Sequence, residues 1–115
     1  MSILSAFSLK QENKKVSEHL KDFLVDFSIE VMPRTASKIE SFKEILPQNT
    51  RVYIAHIEGV PIEEMIETAK RISDEGFAVM PHFPARIIKD HKTLEDWINR
   101  YQNDAGIEQA LLLAG

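Results

Sequence analysis

Apolar residues change their rhythm several times along this chain, and each change predicts an element. Leu9, Val16, Leu20, Phe23, Leu24 and Phe27 recur at helical spacing, the periodicity of a helix with one apolar face. Ser8 and Gln11 have the form of a capping box, a hydroxyl with an amide three residues later. Residues 1–27 therefore read as a loose or docked start followed by an N-terminal helix. Ser28 to Met32 reads as a first strand closed by Pro33. Ser37 and Glu40 form a second capping box, predicting a helix through Ile39, Phe42, Ile45 and Leu46 that Pro47 stops. Arg51 to His56 reads as a second strand. Gly59 turns the chain, and Pro61 suits the first position of the next helix, whose apolar face is Ile62, Met65, Ile66, Ala69 and Ile72.

Gly76 ends that helix, because glycine accepts the left-handed conformation a helix C-terminus favours. Phe77 to Met80 is a continuous apolar run, the pattern of a strand buried on both faces. Pro81 has no N–H to give to a ladder, so the strand is expected to stop there. Thr93 is expected to cap a helix carrying Leu94, Trp97, Ile98 and Tyr101 and ending near Gly106. Gln109 to Leu113 is the fourth expected strand.

The order is a helix, then strand-helix three times, then a strand, at the spacing of βαβ units. Such crossovers give parallel strands. No Gly/Ser linker interrupts the chain, so residues 1–115 read as one domain: a helix over 1–27 and a βαβαβαβ unit over 28–115. Two architectures fit. One is a small open α/β sheet. The other is half of a (β/α)8 barrel with an extra N-terminal helix; a whole barrel takes about 250 residues.

Composition narrows the function. With 43% hydrophobic and 28% charged residues the chain is ordinarily globular,. A net charge of -4 argues against a nucleic-acid-coating role,. There is no cysteine, so neither disulfides nor thiolate chemistry are available. No apolar run approaches the roughly 20 residues of a membrane span. The start lacks the pattern of a secretory signal, and a cytoplasmic location is expected.

The polar residues with chemical potential collect after strands. Glu30 and Arg34 follow the first, His56 and Glu58 the second, His82 and Arg86 the third. Parallel strands would bring them to one rim, where α/β folds bind ligands. Glu30 sits in the apolar run Ile29-Glu30-Val31-Met32 and is expected to be buried, with its charged form penalised. It reads either as a functional acid or as a structural one paired with Arg34 or Arg51. His82 and His56 read either as site residues or as loop histidines bonded to backbone. His56, His82, His91 and Glu30 could also be metal ligands, but none has the tight spacing of a metal motif. Four glycines argue against a glycine-rich phosphate cradle. Trp97 and Tyr101 read as core.

At this point the motifs resemble those of the methylenetetrahydrofolate reductase family, flavin-dependent (β/α)8 barrels. Ile29-Glu30-Val31-Met32-Pro33-Arg34 is similar to the family's first strand. Ile66-Glu67-Thr68-Ala69-Lys70-Arg71-Ile72 is similar to its helix before the third strand. Val79-Met80-Pro81-His82-Phe83 is similar to the strand that ends in a flavin-contacting histidine. Leu111-Leu112-Leu113-Ala114-Gly115 is similar to the strand leading to its Arg-Gly-Asp turn. The match runs from about Ser28 to Gly115, in the family's order and spacing. Two features depart from it. Ala55-His56-Ile57-Glu58-Gly59 stands in place of the family's Thr-Tyr-Gly-Ala-Gly-Gly turn, and Ala114 stands where an arginine is usual.

The resemblance implies an oxidoreductase that binds FAD, takes a hydride from NADH or NADPH, and reduces 5,10-methylenetetrahydrofolate to 5-methyltetrahydrofolate in one-carbon metabolism and methionine biosynthesis. Glu30 would be the general acid. His82 would contact the flavin, with His56, Ala114 and Gly115 also on the cofactor side. Arg34 and Arg86 are assigned to the folate. The 115-residue chain would be a truncated product or half of a split enzyme, expected to self-associate or to complement a missing half-barrel. The alternatives are a folate- or flavin-binding half-barrel without catalysis, and a metal-dependent hydrolase using His56 and His82. A bound yellow cofactor, a colourless folate-binding protein, or stoichiometric metal would separate the three.

Overall fold

Four short strands lie side by side, all parallel, in sequence order: β1 (Ser28–Val31), β2 (Arg51–Ile54), β3 (Ala78–Pro84) and β4 (Leu111–Leu113). This is the arrangement in the computed structural model of the chain, which describes residues 17–115. The helices are α1 (residues 17–23), α2 (Pro33–Ala36), α3 (Ile62–Asp74) and α4 (His91–Ala105). The protein is therefore an α/β fold built of βα repeats on an all-parallel sheet.

Register fixes the two faces. Ile29, Val52 and Val79 are in line, as are Val31, Ile54 and Pro81; they point to the helix layer. Against them pack Met65, Ile66, Ala69 and Ile72 of α3, and Trp97 and Tyr101 of α4, all buried. Phe83 carries this face to the end of β3, 5.5 Å from the Tyr101 ring and 6.2 Å from Trp97. The α3 surface is the one its apolar spacing predicts. Gly76 follows the helix at φ +96 and Gly106 closes α4 at φ +66, both left-handed as a C-cap requires.

Several sequence-based boundaries are corrected. The first capping box, Ser8 and Gln11, lies outside the described residues. The N-terminal helix does not run to residue 27: it ends at 23, and the chain turns through Asp26 at φ 57. Pro33 does not simply close a strand. It takes the first position of α2, where its missing N–H is no loss. The Thr35 hydroxyl then accepts from Met32 N–H and donates to Met32 O, both at 3.0 Å.

The helix expected from Ser37 to Leu46 does not form. Ser37 terminates α2, and only Phe42–Glu44 makes a single 3-10 turn. Here side chains from α3 and its C-cap outbid helix capping. Arg71 donates to the carbonyls of Ala36, Ile39 and Glu40, and Glu75 accepts from Ser41 Oγ and Phe42 N–H. Phe42 is pinned in the core, under the Arg71 guanidinium and edge-on to Phe77.

Strand β2 ends at Ile54, short of His56, and β4 begins at Leu111 rather than Gln109. Pro61 is the N-cap of α3 rather than its first residue. Asp90, not Thr93, caps α4, accepting from Thr93 N–H at 2.7 Å.

The third strand does not stop at Pro81; it continues to Pro84. Ala78 N–H donates to Thr50 of the β2 side and Ala85 N–H to Leu113 of β4. Backbone groups alternate sides every residue. Pro81 therefore faces the β4 side before β4 begins, since the first pair is His82 with Leu111. Pro84 faces the β2 side after β2 has ended at Ile54. Each proline sits where the ladder asks nothing of its nitrogen.

Candidate functional site

Alternation along the strands sends a second set of residues to the face away from α3 and α4. Glu30, Tyr53 and Met80 are in register across it. His82 lies two residues beyond Met80 on the same face, paired in register with Leu111. Leu113 completes it, level with Pro84. The face is apolar and half-buried around Met80, Leu111 and Leu113, with one polar pair near the C-terminal ends of the strands.

That pair is Glu30 and His82. His82 Nε2 lies 3.1 Å from Glu30 Oε2, reaching across β2. The imidazole is buried, at 7% exposure, whereas the Glu30 side chain is 59% exposed. Nε2 is walled off from solvent and makes no aligned hydrogen bond among the described residues. The contact is therefore charge on charge, full only when the ring is protonated. Tyr53 stands beside the pair, its ring 6.4 Å from His82 and inclined by 59°.

This corrects the sequence reading of Glu30. The carboxylate is not buried, and its partner is neither Arg34 nor Arg51 but His82. Alternation explains it: Ile29 and Val31 take the core side and Glu30 the other.

His56 is turned away. It continues the parity of Val52 and Ile54, and its ring lies 4.9 Å from Trp97 in the helix layer. Nε2 is 3.0 Å from Val60 O; a carbonyl only accepts, so Nε2 carries the proton. Nδ1 is buried with no partner among the described residues. His56 thus ties down the loop between β2 and α3, and does not meet His82. No group of three or more metal-ligating side chains occurs among the described residues.

The remaining candidates stand at the same end of the sheet without touching the pair. Arg34 is exposed on α2 and Arg86 exposed in the turn after β3. Ala114 and Gly115 are exposed beyond β4. The sequence reading missed Tyr53, Met80, Leu111 and Leu113; counting alternate positions from Arg51 and His82 would have found the first two, while the β4 pair follows only from its register with His82 and Pro84.

A planar ring could lie against this face, on an apolar floor with Tyr53 beside it and the Glu30–His82 pair at its polar edge. A diphosphate finds less: Gly59, Gly76 and Gly106 have open space where a Cβ would stand, so none forms a cradle that a side chain would fill. No protein-family model matches the chain. No helix of the described residues is long and apolar enough to cross a membrane.

Proposed function

We propose that the chain is half of a (β/α)8 barrel of the methylenetetrahydrofolate reductase type, a flavoprotein fragment acting on a folate. The observation that carries this reading is the Glu30–His82 contact on the open face of an all-parallel sheet. The residues present fit the isoalloxazine end of FAD and leave its diphosphate to groups elsewhere. When bound, FAD would relay a hydride from NADH or NADPH to the methylene carbon of the folate.

This chain's residues have separate parts. Tyr53, Met80 and Leu111 bear on the ring and keep water from it. His82 orients Glu30 by holding one carboxylate oxygen. Glu30, open to solvent on its other side, would take up a proton there, giving up its charge contact with His82, and pass that proton to the folate nitrogen. Arg34 and Arg86 are cations at the same end, suited to the folate's glutamate tail.

Titrating the purified chain with FAD tests this through quenching of flavin fluorescence. Saturable binding is expected, weakened by His82→Ala and retained by Glu30→Gln. A folded chain with no binding up to about 1 mM FAD would remove the proposal. A second reading, a flavin- or folate-binding module without turnover, draws on the four-strand sheet, whose outer strands β1 and β4 have no further partner strand among the described residues. Binding without hydride transfer from either nicotinamide would favour it.

A further inference from the structure

Two apolar surfaces lie uncovered among the described residues. One is a groove between β4 and α4, on the helix side of the sheet and separate from the Glu30–His82 face. It has a volume of about 340 Å³ and is lined by Phe83, Leu94, Ile98, Tyr101, Ile107 and Leu112. A second hollow of about 610 Å³ adjoins it through Phe83, Leu94 and Leu112. Leu112 is 77% exposed although its parity is that of the core. Tyr101 is 2% exposed, yet its hydroxyl is buried with no partner among the described residues. A buried hydroxyl left unpaired beside the groove is a local cost to the fold.

The other surface is on α1 and the turn after it. Leu20, Phe23, Leu24 and Val25 are 50%, 83%, 46% and 68% exposed. Leu20, Phe23 and Leu24 belong to the stripe whose spacing predicts a buried helix face, and Val25 follows them in the turn.

We propose that α1 of one copy docks in the β4–α4 groove of a second copy, and that the exchange is mutual. The connection decides between copies. Residues 24–27 separate α1 from β1, and β1 and β4 are opposite edges of the sheet. Three strand spacings are about 14 Å. Four fully extended residues span about 14 Å, and the path must also pass around the helix layer. The observed connection is tight instead, with Phe27 N–H bonded to Leu24 O. Docking α1 along its own β4 would stretch this connection to its limit and break that bond, whereas a neighbour's helix requires neither.

Area supports the same occupant. The four side chains on and after α1 expose on the order of 400 Å², and the groove with its adjoining hollow offers them a smaller surface. Two such helix–groove pairs bury on the order of 1,200 Å² in all, the lower end of a standard stable interface. A mutual exchange closes as a two-fold dimer and uses both surfaces of each copy.

The experiment is light scattering on the full chain at tens of micromolar, with single charged variants. A dimer is expected. Phe23→Glu and Leu112→Glu, both at exposed positions, should each weaken it by about a hundredfold or more while leaving circular dichroism unchanged. Ile57→Glu, at an exposed apolar position in the loop between β2 and α3, should leave the dimer intact. Because the chain has no cysteine, Val25→Cys and Ile98→Cys chains can be mixed, and a disulfide between the two variants is expected. A monomeric wild-type chain would overturn the proposal. So would a dimer insensitive to Phe23→Glu and Leu112→Glu, or one dissolved by Ile57→Glu. A disulfide closing within a single Val25→Cys/Ile98→Cys chain would overturn the exchange between copies.

Discussion

His82 Nε2 lies 3.1 Å from Glu30 Oε2 although β2 runs between their strands. One partner is buried and the other faces water, so the pair is anchored from one side only. Solvent screens such a contact, and exposed ion pairs contribute at most about 1 kcal/mol. Glu30→Gln should therefore change the urea midpoint little. His82→Ala removes a buried ring and should cost more, about 1–3 kcal/mol. A double-mutant cycle should give a coupling below about 1 kcal/mol. A larger coupling would mean that Glu30 is held for stability rather than left free for proton transfer.

Arg71 holds together the one irregular stretch of the core. It donates to three carbonyls, Ala36, Ile39 and Glu40, and its guanidinium stands 5.4 Å over the Phe42 ring. Lysine has one compact ammonium and lacks the wide planar fork that reaches carbonyls this far apart. Arg71→Lys should cost about 1.5–3 kcal/mol, the range for hydrogen bonds to a charged group. Hydrogen exchange should localise the loss to residues 37–42. Protection unchanged there would show that the segment is held by packing of Phe42 alone.

Asp90 sets a pH limit on α4. The Thr93 side chain and backbone N–H hold its carboxyl below the ordinary aspartate value. A depressed folded-state value means that this cap is in full force above the ordinary value of 3.8. It is lost as pH falls from there through the folded value. Thermal melts from pH 7 down to 2.5 should show Asp90→Ala lower than wild type at neutral pH and converging with it in acid. Asp90→Asn caps without a charge and should flatten that convergence. Parallel curves for wild type and Asp90→Ala would place the effect outside the carboxylate.

The parallel sheet was legible because each strand is a short apolar run between turn residues and each crossover has helical spacing. Where reading failed, a distant side chain or strand parity decided the outcome. Ser37 with Glu40 looks like a helix start, yet Arg71 and Glu75, more than 30 residues away, claim the backbone groups around it. Pro81 looks like a strand end until β4 is known to start one residue further along β3. Glu30 looked buried because its neighbours are apolar, and only alternation separates it from Ile29 and Val31. The same counting turns His56 toward Trp97 and leaves His82 with Glu30. The rim was thus visible in the sequence, and the division of its residues between two faces was not.

Tyr101 tests what an open groove costs. Its ring packs on Phe83 at 5.5 Å, and its hydroxyl is buried without a partner among the described residues. Burial holds the phenol well above its ordinary value of 10. A raised folded-state value means that the favourable contribution of the neutral phenol is complete below pH 10 and is lost as pH rises beyond it. An unpaired buried hydroxyl carries a desolvation penalty that a matching apolar group avoids. In the Leu112→Glu background, where the groove is expected to stay open, Tyr101→Phe should be neutral or stabilising by up to about 1 kcal/mol. It should also keep more of its stability above pH 10 than its parent. In the otherwise wild-type chain the docked helix covers the groove with apolar side chains and brings the hydroxyl no acceptor, so the same change should leave the dimer intact. Urea unfolding of the first pair and light scattering of the second read the two effects separately. Destabilisation by Tyr101→Phe in the monomeric background would show that the hydroxyl already has a partner within its own chain.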